Sequence, residues 1–161
     1  MMEDDRVSRF WSGFVAATGT HGDHTAWGFG SDPGMATELG LLVRDGPKRA
    51  TASLRSAYEH GEPIPRAGEL SVILDGNGDP LCVIRTTHVE IRRFADVDEE
   101  FAWTEGEGDR SLAYWRGGSR QLLHGSRDAA RGRHRARPRA LRAALDAAGR
   151  RLIPTPFRDH P

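Results

Sequence analysis

Along the first 116 residues the apolar positions recur with two different periods, and the switches between them mark the elements. In "SRFWSGFVAAT", Phe10 with Phe14 and Trp11 with Val15 recur four residues apart, the spacing of one helix face. "GTHGDHTAWGFG" follows and reads as a glycine-rich loop. A second helix is predicted over "SDPGMATELGLLVRDG". Asp32 suits its N-cap, Pro33 its first position and Gly46 its stop, with Met35, Leu39 and Leu42 on one face. A period of two then takes over. Lys48 to Leu54 reads as a strand. Beyond the turn-rich "HGEPIPRAG", Val72–Leu74 and Leu81–Ile84 read as the arms of a β-hairpin around "DGNGDP". "ADVDEEFAWTEGEGDRSLAYWR" predicts two helical pieces broken near Gly106 and Gly108, with Asp109 as N-cap of the second. No internal repeat is visible. The pattern predicts an α+β domain with a small sheet or barrel.

After Arg116 the pattern lapses into Arg, Ala, Gly and Pro, almost without β-branched or aromatic residues. Pro138 is expected to start a basic amphipathic helix over 138–152, with Leu141, Leu145, Ala148 and Leu152 on one side. The stretch before it reads as disordered. Charge changes at the same point. Residues 1–116 hold 20 Asp and Glu against 12 Lys and Arg, and residues 117–161 hold 3 against 11, so the net charge of zero hides a split. The chain therefore divides into a domain over residues 8–116 and a basic tail over 117–161. Four Trp and six Phe supply large buried surface. There is no apolar run of about 18 residues, the N-terminus is acidic where a signal peptide is basic, and Cys82 is the single cysteine. These features point to a cytoplasmic protein with no membrane partner.

The densest chemistry lies in "DGPKRATASL". Strand alternation puts Ala50, Ala52 and Leu54 on a packing face and Arg49, Thr51 and Ser53 on a polar one. Lys48 follows Gly46-Pro47, where strict alternation is not required, and so leans toward Thr51. A hydroxyl becomes a nucleophile when a base takes its proton, and a lysine beside Arg44 and Arg49 is a candidate base. The competing reading makes Lys48 and Arg49 solvated turn cations and Thr51 a strand residue.

"GPKRATASL", "GEPIPRAGELSVILDGNGDPLCVIRTTHVEI" and "FAWTEGEGDRSLAYW", in that order, resemble the bacterial ASCH-domain family, and "FWSGFVAATG" and "TAWGFGSDP" fit its N-terminal region. The resemblance implies a PUA-like fold, a small β-barrel flanked by helices, with a cleft for RNA or a nucleobase-like ligand. One branch of the wider superfamily deacetylates N4-acetylcytidine, with activity ascribed to a Lys, a Thr three residues later and a distant Glu. Lys48, Thr51 and Glu105 match these. On that reading Thr51 attacks the amide, Lys48 is its base and Glu105 relays protons. That branch carries an Arg two residues after the Thr, where this chain has Ser53. Deacetylation therefore ranks below an RNA-binding or RNA-processing role, with a non-catalytic ligand-binding module as a third reading. Family members also continue into a terminal strand with an apolar-Glu-Arg-Phe sequence, and nothing after Arg116 resembles it. The tail then reads either as out-of-frame translation, which leaves the sheet a strand short, or as a basic arm that contacts phosphates.

Other candidates carry less. Composition alone makes Glu105 one of a solvated acidic group with Glu99, Glu100, Glu107 and Asp109. Tyr114 suits stacking on a base, whereas Leu112 and Trp115 read as a core face. Arg85 and Thr87 alternate with Ile84 and Thr86 and are cleft candidates. "HGDH" lacks the further ligands a zinc site needs, so no metal is expected. Cys82 reads as a packing residue. No phosphate-cradling P-loop and no Ser/His/Asp arrangement is present, and no cofactor is expected. RNA or a modified nucleoside is the expected partner; the sequence leaves the oligomeric state undefined.

Overall fold

A computed structural model describes residues 2–58, 61, 63–118 and 139–147. Its elements are α1 (Met2–Thr18), β1 (His24–Gly28), α2 (Pro33–Asp45), β2 (Ala50–Leu54), β3 (Leu70–Leu74), β4 (Pro80–Arg93), α3 (Glu99–Glu105), α4 (described over 112–118) and β5 (Arg139–Ala147). The strands form one sheet in the order β1-β3-β4-β5-β2. β1 runs parallel to β3, and the other pairs are antiparallel. The architecture is the expected α+β sheet flanked by helices.

Helix α2 forms as its signals dictate. The Asp32 side chain accepts the Met35 amide at 3.0 Å, Pro33 opens the helix, and the Gly46 amide closes it on the Leu42 carbonyl. The hairpin turn is equally local. Asp75 Oδ1 accepts the Asn77 and Asp79 amides, and the Gly76 amide is held by the Thr37 hydroxyl of α2. β3 is buried along its whole length because both faces are covered. Val72 and Val83 meet Val7, Phe10, Trp11 and Phe14 of α1 on one side. Ile73 and Ile84 meet Phe29, Val43 and Leu39 on the other. A third cluster of Ala50, Val97, Phe101, Ala102 and Trp115 fastens α3 and α4 to β2.

Four expectations need correction. The stretch read as a glycine-rich loop contains β1, whose five residues pair in register with β3. α1 begins at Met2, well before the periodic segment that announced it. In α4 the cap is Ser111, whose hydroxyl accepts the Tyr114 amide, while Asp109 accepts the amide of Ser111 itself. The helix expected over 138–152 is instead strand β5 over Arg139–Ala147, pairing with both β2 and β4. Helix-forming Ala, Leu and Arg yield here to two unpaired strand edges, a tertiary demand that overrides propensity. The sheet is therefore not a strand short. Residues 119–138 and 148–161, the remainder of the basic tail, lie outside the described residues.

Candidate functional site

The site candidates gather where the turn before β2 meets the end of α3. Gly46-Pro47 places Lys48 ahead of β2, and its amide bonds to the Leu42 carbonyl at 3.3 Å. The side chain folds back, so that Nζ donates to the Ala50 carbonyl at 3.0 Å and to Glu107 Oε1 at 2.6 Å. Lys48 is 0% exposed, and its ammonium lies 5.4 Å from the Phe29 ring centre. A buried cation persists only when it is paired and bonded, and these acceptors take two of its three N–H groups and supply the opposite charge.

Glu105 ends α3 and is also buried. Its Oε1 accepts the Ala52 amide at 3.1 Å, and the Arg49 amide donates to the Thr104 carbonyl at 2.8 Å. β2 is an edge of the sheet, and these bonds, with that of Lys48 to Ala50, cover the side of it that faces away from β5. Thr51 stands between the two anchored residues, with Lys48 holding Ala50 and Glu105 holding Ala52. Gly106 makes the meeting close. Its φ is 73°, and a Cβ there would lie 2.5 Å from the Pro47 carbonyl oxygen and 2.7 Å from the Lys48 nitrogen. Conformation and space both require glycine. Two carboxylates thus leave one tight turn, Glu105 toward β2 and Glu107 toward Lys48.

The environment separates their chemistry. Burial raises the Glu105 pKa from 4.5 to about 7, and the charge of Glu107 pushes the same way. Lys48 is the strongest opposing influence, joined by hydrogen bonds from the Ala52 amide and the Trp115 side chain. A carboxyl that changes charge near neutrality is equipped to give and take a proton. Burial pushes the Cys82 thiol up to about 11, which leaves it a protonated packing residue beneath α2.

The remaining candidates separate. Arg49 Nη1 donates to the Val43 carbonyl in the last turn of α2, 3.3 Å away. The Ser53 and Tyr58 hydroxyls bond at 2.9 Å. Tyr114 is half exposed and packs on Gly108, one residue from Glu107. Arg85 is not brought in. It pairs with Leu70 and so shares the α1 side of the sheet, whereas Phe29, against which Lys48 rests, packs on the α2 side. His24 stacks on Trp11 at 3.9 Å, and no group of His, Cys, Asp and Glu suited to a metal occurs among the described residues. Sequence reasoning missed two residues. Glu107 is the ion-pair partner of Lys48, and Trp115, correctly read as core, also serves Glu105. The signal was the Glu-Gly-Glu repeat, whose central glycine sends neighbouring carboxylates to different partners.

The helix-flanked mixed sheet is that of an ASCH-type domain of PUA-like fold. The chain belongs to the ASCH domain family, whose match spans residues 25–130. It is similar to the ASCH domain from Lactobacillus crispatus JV V101, at 27% identity and a TM-score of 0.81, covering 89% of this chain and 94% of that one. It is also similar to protein EF3133 from Enterococcus faecalis V583, at 30% identity and a TM-score of 0.77, covering 89% and 88%. No curated protein matches the chain. No helix among the described residues is long and apolar enough to cross a membrane.

Proposed function

We propose that the chain binds RNA or a modified nucleoside where β2 meets the turn after α3. Thr51, Ser53 and Glu107 form the reachable rim, Tyr114 flanks it, and Glu105 handles protons beneath it. The observation that carries this reading is the fully buried Lys48 joined to Glu107 beside a carboxyl that titrates near neutrality. Stability does not call for such a seam, because apolar side chains of similar volume generally hold a fold as well as a buried ion pair. Perturbed titratable groups collect where chemistry or recognition is done. In this reading Lys48 is a fixed positive charge that orients Glu107, since its ammonium is already donating to two acceptors.

A second reading, hydrolysis of N4-acetylcytidine or a related nucleoside, is favoured by the place of Thr51 in the chain, next to the Ala52 whose amide a proton-handling Glu105 accepts. It ranks behind because Ser53 bonds to Tyr58 where that branch supplies a guanidinium. One paired assay decides between them: N4-acetylcytidine with acetate release followed, and labelled single-stranded RNA with binding and cleavage followed separately. Salt-sensitive RNA binding that weakens about tenfold in Thr51→Ala is the expected result. Acetate release lost in Thr51→Ala moves the site to the second reading. Binding without any turnover makes the domain a non-catalytic module, and RNA affinity untouched by both Thr51→Ala and Glu107→Gln removes this site from consideration.

A further inference from the structure

Beyond the seam, the turn that carries Glu107 runs on to an arrangement that the site does not use. Trp103 is 59% exposed, on the outer side of a helix whose Phe101, Ala102 and Glu105 are buried. Arg110 lies over it, with its guanidinium carbon 3.8 Å from the indole centre and Nε donating to the Trp103 carbonyl at 2.9 Å. Arg110 reaches this position at φ 64°, making it the one non-glycine residue with positive φ among those described. An arginine takes that left-handed conformation against its preference, and here the hydrogen bond and the ring contact to Trp103 hold it. Its charge is also available. Arg6, Arg44, Arg92 and Arg93 each pair with a carboxylate, whereas Arg110 makes no ion pair among the described residues. Gly108 lies on the same turn, between Glu107 and α4, and the half-exposed Tyr114 of α4 packs on it.

We infer that Trp103 and Arg110 form a stacking platform for a nucleobase of single-stranded RNA, next to the base held at the seam. A nucleobase stacks on an indole or on the guanidinium that covers it, and the unpaired charge attracts the adjoining phosphate. Exposed Glu99 and Glu100 in the first turn of α3 repel an anionic backbone and confine the strand to the Arg110 end. This inference rests on the ligand class proposed above, and its test separates the two.

The full chain is titrated with a fluorescein-labelled oligouridylate of about eight nucleotides and, separately, with cytidine. Trp103→Ala and Arg110→Gly should each weaken the oligonucleotide about tenfold, the size of one lost base–aromatic stack, and leave cytidine binding as in the wild type. Glycine accepts φ 64° freely, so Arg110→Gly should melt no lower than wild type, and its loss of affinity is then not misfolding. Thr51→Ala should weaken both probes. Wild-type oligonucleotide affinity in Trp103→Ala and Arg110→Gly would overturn the platform. So would binding of cytidine alone by the wild type, which leaves the seam intact. Oligonucleotide binding that depends on Trp103 but not on Thr51 keeps the platform and removes the seam. Loss of self-association rather than of RNA in Trp103→Ala assigns the patch to protein contact and overturns the inference.

Discussion

Two regions of this domain solve the problem of burial by opposite means. Around β3, burial is apolar and two-sided: Val72 faces α1, Ile73 faces α2, and neither is exposed at all. Along β2, only one side chain face is apolar, and the strand's free edge is closed by Lys48, Glu105 and the backbone of Thr104. The first region gains stability in proportion to area removed from water. The second spends part of that gain on desolvating charges whose mutual bonds return about as much as they cost. Stability should therefore be lost in the first region without loss of function, and function in the second with little loss of stability where a charged side chain is replaced and the backbone stays in place.

The largest effect should come from Ile73→Ala. Removing a fully buried side chain from a two-sided core costs about 4 kcal/mol, the transfer free energy plus the cavity left behind. Chemical denaturation should show that loss, while the fraction still folded binds ligand normally. A matching loss of ligand affinity in the folded fraction would show that the two regions are not separable. Next is Gly106→Ala, expected to cost about 3 kcal/mol from the left-handed backbone and the overlap with Pro47. Unlike Ile73→Ala, it should also abolish binding, because it displaces Glu105 and Glu107 together.

The same contrast explains what the sequence disclosed. The body was legible because its signals are local. Asp32, Pro33 and Gly46 cap α2 with groups three or four residues away, and "DGNGDP" ties its own turn. The third cluster was half legible: alternation assigned Ala50 and Ala52 to a packing face, which they occupy. The seam was not, since the bonds that define it join residues more than 50 positions apart, such as Lys48 with Glu107 and Ala52 with Glu105. Family resemblance supplied Lys48, Thr51 and Glu105, yet no local rule names Glu107 over Glu99 or Glu100. β1 and β5 were missed for a related reason. Each is a strand because neighbouring edges need partners, and neither His24–Gly28 nor Arg139–Ala147 advertises it.

A smaller effect should come from Glu105 through pH. Its pKa rises from 4.5 unfolded to about 7 folded, so between those values the folded state binds the extra proton. The associated stability is fully present below about pH 4.5 and is lost as pH rises through 7, a change of at most about 3 kcal/mol. Glu105→Gln keeps an acceptor for the Ala52 amide and removes the titration. Subtracting its stability profile from that of the wild type should leave a fall confined to this window. A flat difference would mean that Glu105 is ionised throughout, and its role as a proton carrier would go with it.

The smallest effect on stability, and the sharpest test of the contrast, should come from Lys48→Met. Methionine fills a similar volume against Phe29, and Glu107, about one-third exposed, can turn to water once its partner is gone. The Ala50 carbonyl loses a donor, but the cost of burying the ammonium disappears with it, so the net change should lie within about 1 kcal/mol. Glu105 meanwhile loses the strongest influence holding its pKa down. Its carboxyl resonance, followed by NMR, should titrate at higher pH than in the wild type. Ligand affinity should fall at least about tenfold because Glu107 is no longer fixed at the rim. Large destabilisation with binding preserved would invert the assignment and make the lysine a structural strut. Near-native stability with binding lost would show that this lysine is buried for what it holds in place, and that the edge of β2 is closed well enough without it.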